Sequence, residues 1–531
     1  MLYLFLSDLL FFFIFYGIGE LASRFTFLKV RKDNFLLKFF LGMSLAALFF
    51  SSVQFFVPLT VWTLLPVVLA GLLGCAYSLA AARAGGGVGR LLHERRWLVL
   101  AAVVAFFLIC YECSKAEGVS AVDTLFYHAL CLSWMNTYKI VPGIANLFAN
   151  LAFNSLYLQL AAGLDVGPWD KQMSSVLYSL LYTAFMFYAA LDVLNFSARK
   201  DRKALPFILS QCVMLVWFLS NNTLDDPSLY YDKPTLVMIA VCLQEMLLCQ
   251  FADSSSSSSS STSSKCSPES IFFFAAIAFG MKLLGSLTVI FCFAFILYGY
   301  VKRRELTFLR LARCCAIPLF IFIIYVVRNL IQSGYPFFQS TFFRVEFPWT
   351  IPHSLAVRTY ELIHYGSRWD PMIVNGDMVK APFMVWFVPW LKRAFEPANI
   401  QFPLVCFASL ILFVRSLVKR QTESLFYYAF IFANLAFWFL SAPLFRFGNG
   451  FVYDLFAVAV FFNADLFAGP IEGFRKFFRG WGPLCGKVKG FCGRRGVQLA
   501  VIAVLVLVAV LLALPAVQDA VISLGGKLKG K

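Results

Sequence analysis

Apolar runs long enough to cross a bilayer recur along this chain from one end to the other. About 18 residues with few charges suffice to span the hydrocarbon core as a helix. Lipid offers the backbone no hydrogen bonds, so a spanning segment must satisfy its own. The pattern therefore dictates an all-α fold, a polytopic transmembrane helical bundle. Composition agrees: 60% hydrophobic residues, 14% charged residues and a mean hydropathy of +0.77 lie far from a soluble domain. The first run, Leu2 to Glu20, has no basic leader and no small-residue cleavage site, and reads as a retained helix.

A net charge of +17 raises the question of nucleic acid. The basic residues instead sit in short loops between apolar runs, as the positive-inside rule expects, and point to membrane lipids. Those loops are Arg24 to Lys38, Arg83 to Arg96, Arg199 to Lys203, Lys302 to Arg313, Arg415 to Arg420 and Arg475 to Arg495. Placing all of them in the cytoplasm gives spans at 2–20, 36–57, 60–82, 97–112, 173–196, 204–221, 234–252, 270–282, 284–301, 313–331, 401–418, 423–441, 450–468 and 498–516. That is about fourteen spans in a single membrane domain, 1–531, with both termini outside. The pair around Lys282 is short and reads as either a re-entrant hairpin or one long tilted helix. Residues 253–269 form a Ser-rich cytoplasmic linker and 470–497 a basic cytoplasmic loop. The 14 cysteines lie mostly inside apolar runs and show no zinc-ligand spacing, so no metal site or disulfide framework is assigned.

This topology leaves 113–172 and 332–400 on the extracytoplasmic face, with shorter loops at 221–233 and 442–450. These hold the stretches that combine Asp, Glu, His, Trp and Asn. The densest runs from Asp123 to Asn154, with Tyr127, His128, Trp134, Tyr138, Pro142, Gly143 and Asn146. As a helix, Asp123, Tyr127 and Cys131 would share a face. Asp123 could equally be the N-cap of the helix that follows. The 221–233 loop carries Asp225, Asp226 and Asp232 beside Tyr230 and Tyr231. Arg328 sits near the outer end of a span, where it must meet an anion or snorkel to the interface. Pro382 to Glu396 reads as an aromatic interfacial helix. Arg446 occupies a glycine-rich turn and suits bidentate phosphate contact.

A carboxylate at a membrane surface, with cations at the same depth and aromatics between, suits sugar transfer from a lipid-phosphate carrier. The carboxylate removes the acceptor hydroxyl's proton, and the cations stabilise the departing phosphate. A polysaccharide polymerase or ligase, and a transporter or flippase, are the other classes. A transporter should carry mid-membrane charges and broken, repeated spans.

The stretch around Asp123 resembles a pattern of bacterial multi-spanning membrane proteins of the GT-C glycosyltransferase type: Asp-Thr-x-x-Tyr-His, an aromatic helix, Val-Pro-Gly-Leu-x-Asn-Leu, then Phe-Asn-Ser. The matching residues are Asp123, Thr124, Tyr127, His128, Trp134, Tyr138, Val141, Pro142, Gly143, Asn146, Leu147, Phe153, Asn154 and Ser155. Lys282, the Arg328-Asn329 pair with Ser333-Gly334-Tyr335-Pro336, and Arg446-Phe447-Gly448 with Gly450 match further segments in order. A His or Arg often follows Asn-Leu in that group, where this chain has Phe148, Ala149 and Asn150. The resemblance implies an inner-membrane glycosyltransferase acting on the extracytoplasmic face. Its donor would be a polyprenyl-phosphate-linked sugar and its acceptor a glycan or lipid. Asp123 would be the base. Tyr127, His128, Asn146, Asn154, Lys282, Arg328, Tyr335 and Arg446 would bind substrate or donor phosphate. Glu117, Asp225 and Asp226 are secondary acidic candidates that would hold a divalent cation if the chemistry requires one.

Overall fold

The computed structural model describes residues 2–84, 106, 123–198, 204–220, 228–254, 266–368, 382–396 and 399–469. Regular structure among these residues is helical throughout. The chain forms α1 (Leu2–Phe25), α2 (Leu36–Val53) and α3 (Val61–Ala84), then a π-helical turn (Thr124–His128) continuing into α4 (Ala129–Thr137). Next come α5 (Leu156–Leu164), α6 (Met173–Ala198), α7 (Leu205–Ser220), α8 (Asp232–Ser254), α9 (Pro268–Met281), α10 (Ser286–Lys302) and α11 (Phe308–Ser333). Then follow α12 (His353–Gly366), α13 (Phe383–Ala394), α14 (Gln401–Val418), α15 (Thr422–Ser441) and α16 (Phe445–Phe462).

Nine described helices are long and apolar enough to cross a bilayer: α1, α2, α3, α6, α10, α11, α14, α15 and α16. Helices α7 and α9 are shorter apolar helices. The expected span at 498–516, all but Phe106 of the one at 97–112, the basic loop at 470–497 and residues 255–265 of the Ser-rich linker lie outside the described residues.

Helices α8 and α9 form the centre. Residues 234–248 of α8 and 269–281 of α9 are buried all round, and their charged members, Glu245 and Glu269, each pair with an arginine. Around Lys282 the chain doubles back as a hairpin and does not run on as one tilted helix. Helix α9 ends at Met281, and Lys282 is extended (φ −158°, ψ 142°). A Cβ on Gly285 would lie 2.5 Å from the Ala278 carbonyl carbon, so α10 starts against the backbone of α9. Close approach also joins α1 to α3, where a Cβ on Gly17 would lie 1.9 Å from the Gly71 oxygen. Helix α13 has only 12 residues, about 18 Å of helix, too short to span. It buries Trp386 and Trp390 and exposes Phe383, Met384 and Val388, in keeping with an interfacial helix.

At the end of the bundle where α6 and α8 finish, the Arg31 side chain is fully buried among carboxylates. Its Nε donates to both Glu245 oxygens at 3.0 Å, Nη1 to Asp33 at 3.2 Å, and Nη2 to Asp192. Tyr188 donates to Glu245 (2.8 Å) and Asn34 to Asp192 (2.8 Å). One guanidinium thus ties α6 and α8 to the α1–α2 loop. Removing one partner of a buried ion pair strands the other at a cost of about 3–5 kcal/mol. Arg31→Gln, which strands two carboxylates, should lower stability by at least that much. Asp192→Asn, which keeps the Arg31–Glu245 pair, should cost about 1 kcal/mol. Thermal unfolding of the two variants in one detergent, with a larger Tm loss for Asp192→Asn, would refute this account of the cluster.

Candidate functional site

At the opposite end, where α8 and α16 begin, four charged side chains from four distant segments meet. Asp123 precedes the π-turn in helical conformation (φ −64°, ψ −32°) and its side chain makes no capping bond. The carboxylate turns instead to Arg446 in the first turn of α16, whose Nη2 donates to Asp123 Oδ2 at 2.7 Å. The capping alternative therefore fails.

Asp232 opens α8, where the helix dipole favours a carboxylate, and Lys282 closes α9, where it favours an ammonium. The Lys282 ammonium bonds directly to Asp232 Oδ1. Arg446 Nε lies 3.7 Å from Asp232 Oδ2, too far for a hydrogen bond. The cations also rest on aromatic faces. Lys282 Nζ lies 3.5 Å from the centre of the Phe447 ring, and Arg446 lies 4.2 Å over Tyr230. Such contacts hold a cation without neutralising it.

His128 completes this wall. It is 1% exposed and packed against Tyr127, Tyr230 and Tyr231 at ring distances of 4.2, 5.8 and 5.5 Å. Its Nδ1 faces the Thr124 hydroxyl at 3.5 Å, and that hydroxyl accepts the Leu229 N–H at 3.1 Å. Its Nε2 has no hydrogen-bond partner among the described residues. Burial pulls its pKa down to about 4, against the opposing pull of Asp123 and Asp232. Burial likewise raises the Tyr127 phenol well above its usual range. His128 is therefore a neutral imidazole at pH 7.

These groups line a cavity of about 630 Å³. A second, largely apolar cavity of about 610 Å³ lies beside it, walled by Phe279, Val289, Ile290, Phe322, Phe342 and Phe437 among others. Lys282, Gln339, Ile363 and Phe447 border both. Helix α12 roofs the pair: Thr359 and Gly366 face the charged cavity, Tyr360 and His364 the apolar one, and Ile363 both.

Asp123, Tyr127, His128, Lys282 and Arg446 thus line one cavity. Arg328, Asn146, Asn154 and Tyr335 do not line the charged cavity. Arg328 is buried within the bundle and does not snorkel, and it forms no ion pair with a carboxylate among the described residues. It donates to Gln54 Oε1, while Nε and Nη1 find no acceptor among the described residues. It is not placed to contact a donor phosphate in this cavity.

The other three build the frame. Asn146 Nδ2 bonds the Gly143 and Trp349 carbonyls at 3.2 and 2.8 Å. Asn154 Nδ2 bonds the Tyr325 carbonyl at 3.2 Å. The Tyr335 hydroxyl meets His353 Nδ1 at 3.2 Å. Gly143 (φ 67°) and Gly334 (φ 81°) adopt the left-handed turns that favour glycine. The Gly143 N–H bonds the Ile331 carbonyl at 2.8 Å, which stitches one turn to α11. Glu117, Asp225 and Asp226 lie outside the described residues. Asp232, which the sequence sets in one loop with the candidates Asp225 and Asp226, is the aspartate that joins the cluster. Its signal was a carboxylate directly after two tyrosines at a helix start.

A family model described as "Domain of unknown function (DUF8201)" matches residues 1–453. The chain belongs to that family. The DUF8201 match takes in Asp123, Asp232, Lys282 and Arg446. No curated protein and no solved structure matches the chain.

A histidine kept neutral by burial stabilises the fold above its unfolded pKa of about 6.5. As pH falls toward 4 the unfolded chain takes a proton that the folded chain refuses, and that stability is lost. The loss should reach on the order of 3 kcal/mol. Unfolding measured from pH 7.5 to 4.5 should therefore fall less steeply for His128→Asn than for the wild-type protein. Equal slopes would contradict a neutral His128.

Proposed function

We propose that this chain is an integral inner-membrane glycosyltransferase of GT-C type. It moves a sugar from a polyprenyl-phosphate donor to an extracytoplasmic glycan or lipid, as a step in building the cell envelope. The observation that carries this reading is the boundary at Lys282 and Phe447, residues shared by the linings of a cavity with two cations and of an apolar cavity of similar size. A molecule with a phosphate head and a hydrocarbon tail matches both halves. In this reading the bundle has about fourteen spans, and the charged cavity faces away from the cytoplasm.

The chemistry follows from the placement of the charges. Asp123 takes the proton of the acceptor hydroxyl as the acceptor oxygen bonds to the sugar's anomeric carbon. The bond from that carbon to the phosphate oxygen breaks, and its electron pair leaves on the phosphate. Arg446 and Lys282 offset the growing negative charge. Asp232 positions Lys282 and balances the site's charge. Neutral, buried His128 brings no charge to a phosphate and packs the tyrosines of the wall.

The buried Arg31–Asp192–Glu245 cluster is the feature that favours a carrier, the second reading, since ion-coupled transporters keep charges inside the bundle. Surface glycans separate the two. Three strains are compared: deletion, wild-type complement and Asp123→Asn complement at equal expression. Transfer predicts loss of one sugar in the deletion and Asp123→Asn strains, with transfer in the variant reduced at least about 100-fold. A normal glycan from the Asp123→Asn strain beside a defective deletion would remove Asp123 from catalysis and favour the carrier.

A further inference from the structure

The residue assigned as base and the arginine assigned to the phosphate are bonded to each other (2.7 Å, Nη2 to Oδ2). A carboxylate that accepts from a guanidinium takes up a proton less readily than a free one. Both side chains are about a third exposed to the cavity, 32% and 35%. Asp232 lies deeper, at 6%, and is held by Lys282.

The two ion pairs are therefore unequal. Lys282–Asp232 is the buried anchor, and Arg446–Asp123 is the exposed, exchangeable pair. Arg446 is also underused: Nε has no hydrogen-bond acceptor among the described residues and lies 3.7 Å from the nearer Asp232 oxygen. Its flat face rests on the Tyr230 ring, 4.2 Å from the ring centre, a support across which a planar guanidinium can turn. A phosphate offers two oxygens at the spacing of the guanidinium fork, against the single oxygen that Asp123 supplies.

Resting on the lipid-phosphate reading above, we propose that the donor's phosphate displaces Asp123 from Arg446, and that this exchange makes Asp123 a base. Arg446 is then a switch as well as a phosphate ligand. Binding is ordered, donor before acceptor deprotonation, and a site without donor does not activate water. The proton comes from the acceptor hydroxyl to the freed Asp123 carboxylate, and the leaving phosphate keeps Arg446.

The test is a double-mutant cycle on binding of farnesyl phosphate, a short prenyl monophosphate, to the full-length protein in lipid nanodiscs. The four proteins are wild type, Asp123→Asn, Arg446→Gln and the double variant. Competition for Arg446 predicts that Asp123→Asn tightens binding about fivefold when Arg446 is present. In the Arg446→Gln background the same change should shift Kd by less than about twofold. An equal gain in both backgrounds would mean that Asp123 only repels phosphate through space, and would overturn the switch. So would no gain, or weaker binding, when Arg446 is present. Absence of saturable binding to the wild-type protein would instead overturn the lipid-phosphate reading itself.

A second measurement needs no change at Arg446. Carbodiimide-driven amidation of Asp123 in the wild-type protein, read by mass spectrometry, should rise severalfold at saturating farnesyl phosphate. Unchanged or reduced labelling would overturn the exchange even if Arg446→Gln fails to fold.

Discussion

Inside an apolar bundle an unpaired charge costs several kcal/mol, so the positions of the few buried charges fix much else. At one end of this molecule that constraint gathers Asp123, Asp232, Lys282 and Arg446. Each comes from a different segment, and each lies at a helix boundary. Asp232 is the least exposed of the four and faces both cations. Without it, Lys282 at the break between α9 and α10 would lack its counter-charge. At the other end Arg31 plays the corresponding part for Asp192 and Glu245. Helix α8 supplies a member to each group, Asp232 and Glu245, about 20 Å apart along its axis.

The helical class could be read directly, because lipid imposes it on apolar runs. So could the interfacial helix α13, too short and too aromatic to span; at Lys282 the sequence left a hairpin and one long tilted helix both open, and only the extended backbone there decides between them. Asp123, His128 and Arg446 could be nominated because polar residues in such a chain need a reason. Their partnership could not. Asp123 and Arg446 lie 323 residues apart, and no local pattern says which cation a carboxylate will meet. Asp232 was hidden among three aspartates in one loop, and only the start of α8 distinguishes it.

Arg328 teaches the opposite lesson. A buried arginine suggested a phosphate ligand, but tertiary packing sets it against Gln54, inside the wall. Asn146, Asn154 and Tyr335 share that fate, with polar groups spent on carbonyls and a histidine of neighbouring segments. The Asp123–Asn154 stretch is thus two things in sequence: a helix that presents chemistry, then a set of turns that brace it against α11. Residue type alone does not tell the two apart, because an asparagine that binds a ligand and one that ties a loop look the same until the fold supplies the partner.

The apolar cavity has a further consequence. Helix α12 covers it from above, while Ile290, Phe322 and Phe342 on its walls remain largely exposed, at 60%, 42% and 69%. On the lipid-phosphate reading proposed above, such side chains face acyl chains and the groove opens sideways into lipid. Anything that fills it arrives by diffusion in a plane, and its occupancy follows mole fraction among lipids in place of molarity in water. On the same reading, an acceptor that reaches the charged cavity from water obeys ordinary solution kinetics. The proposed donor and acceptor would thus draw on reservoirs of different dimensionality, with Lys282 on the boundary between them.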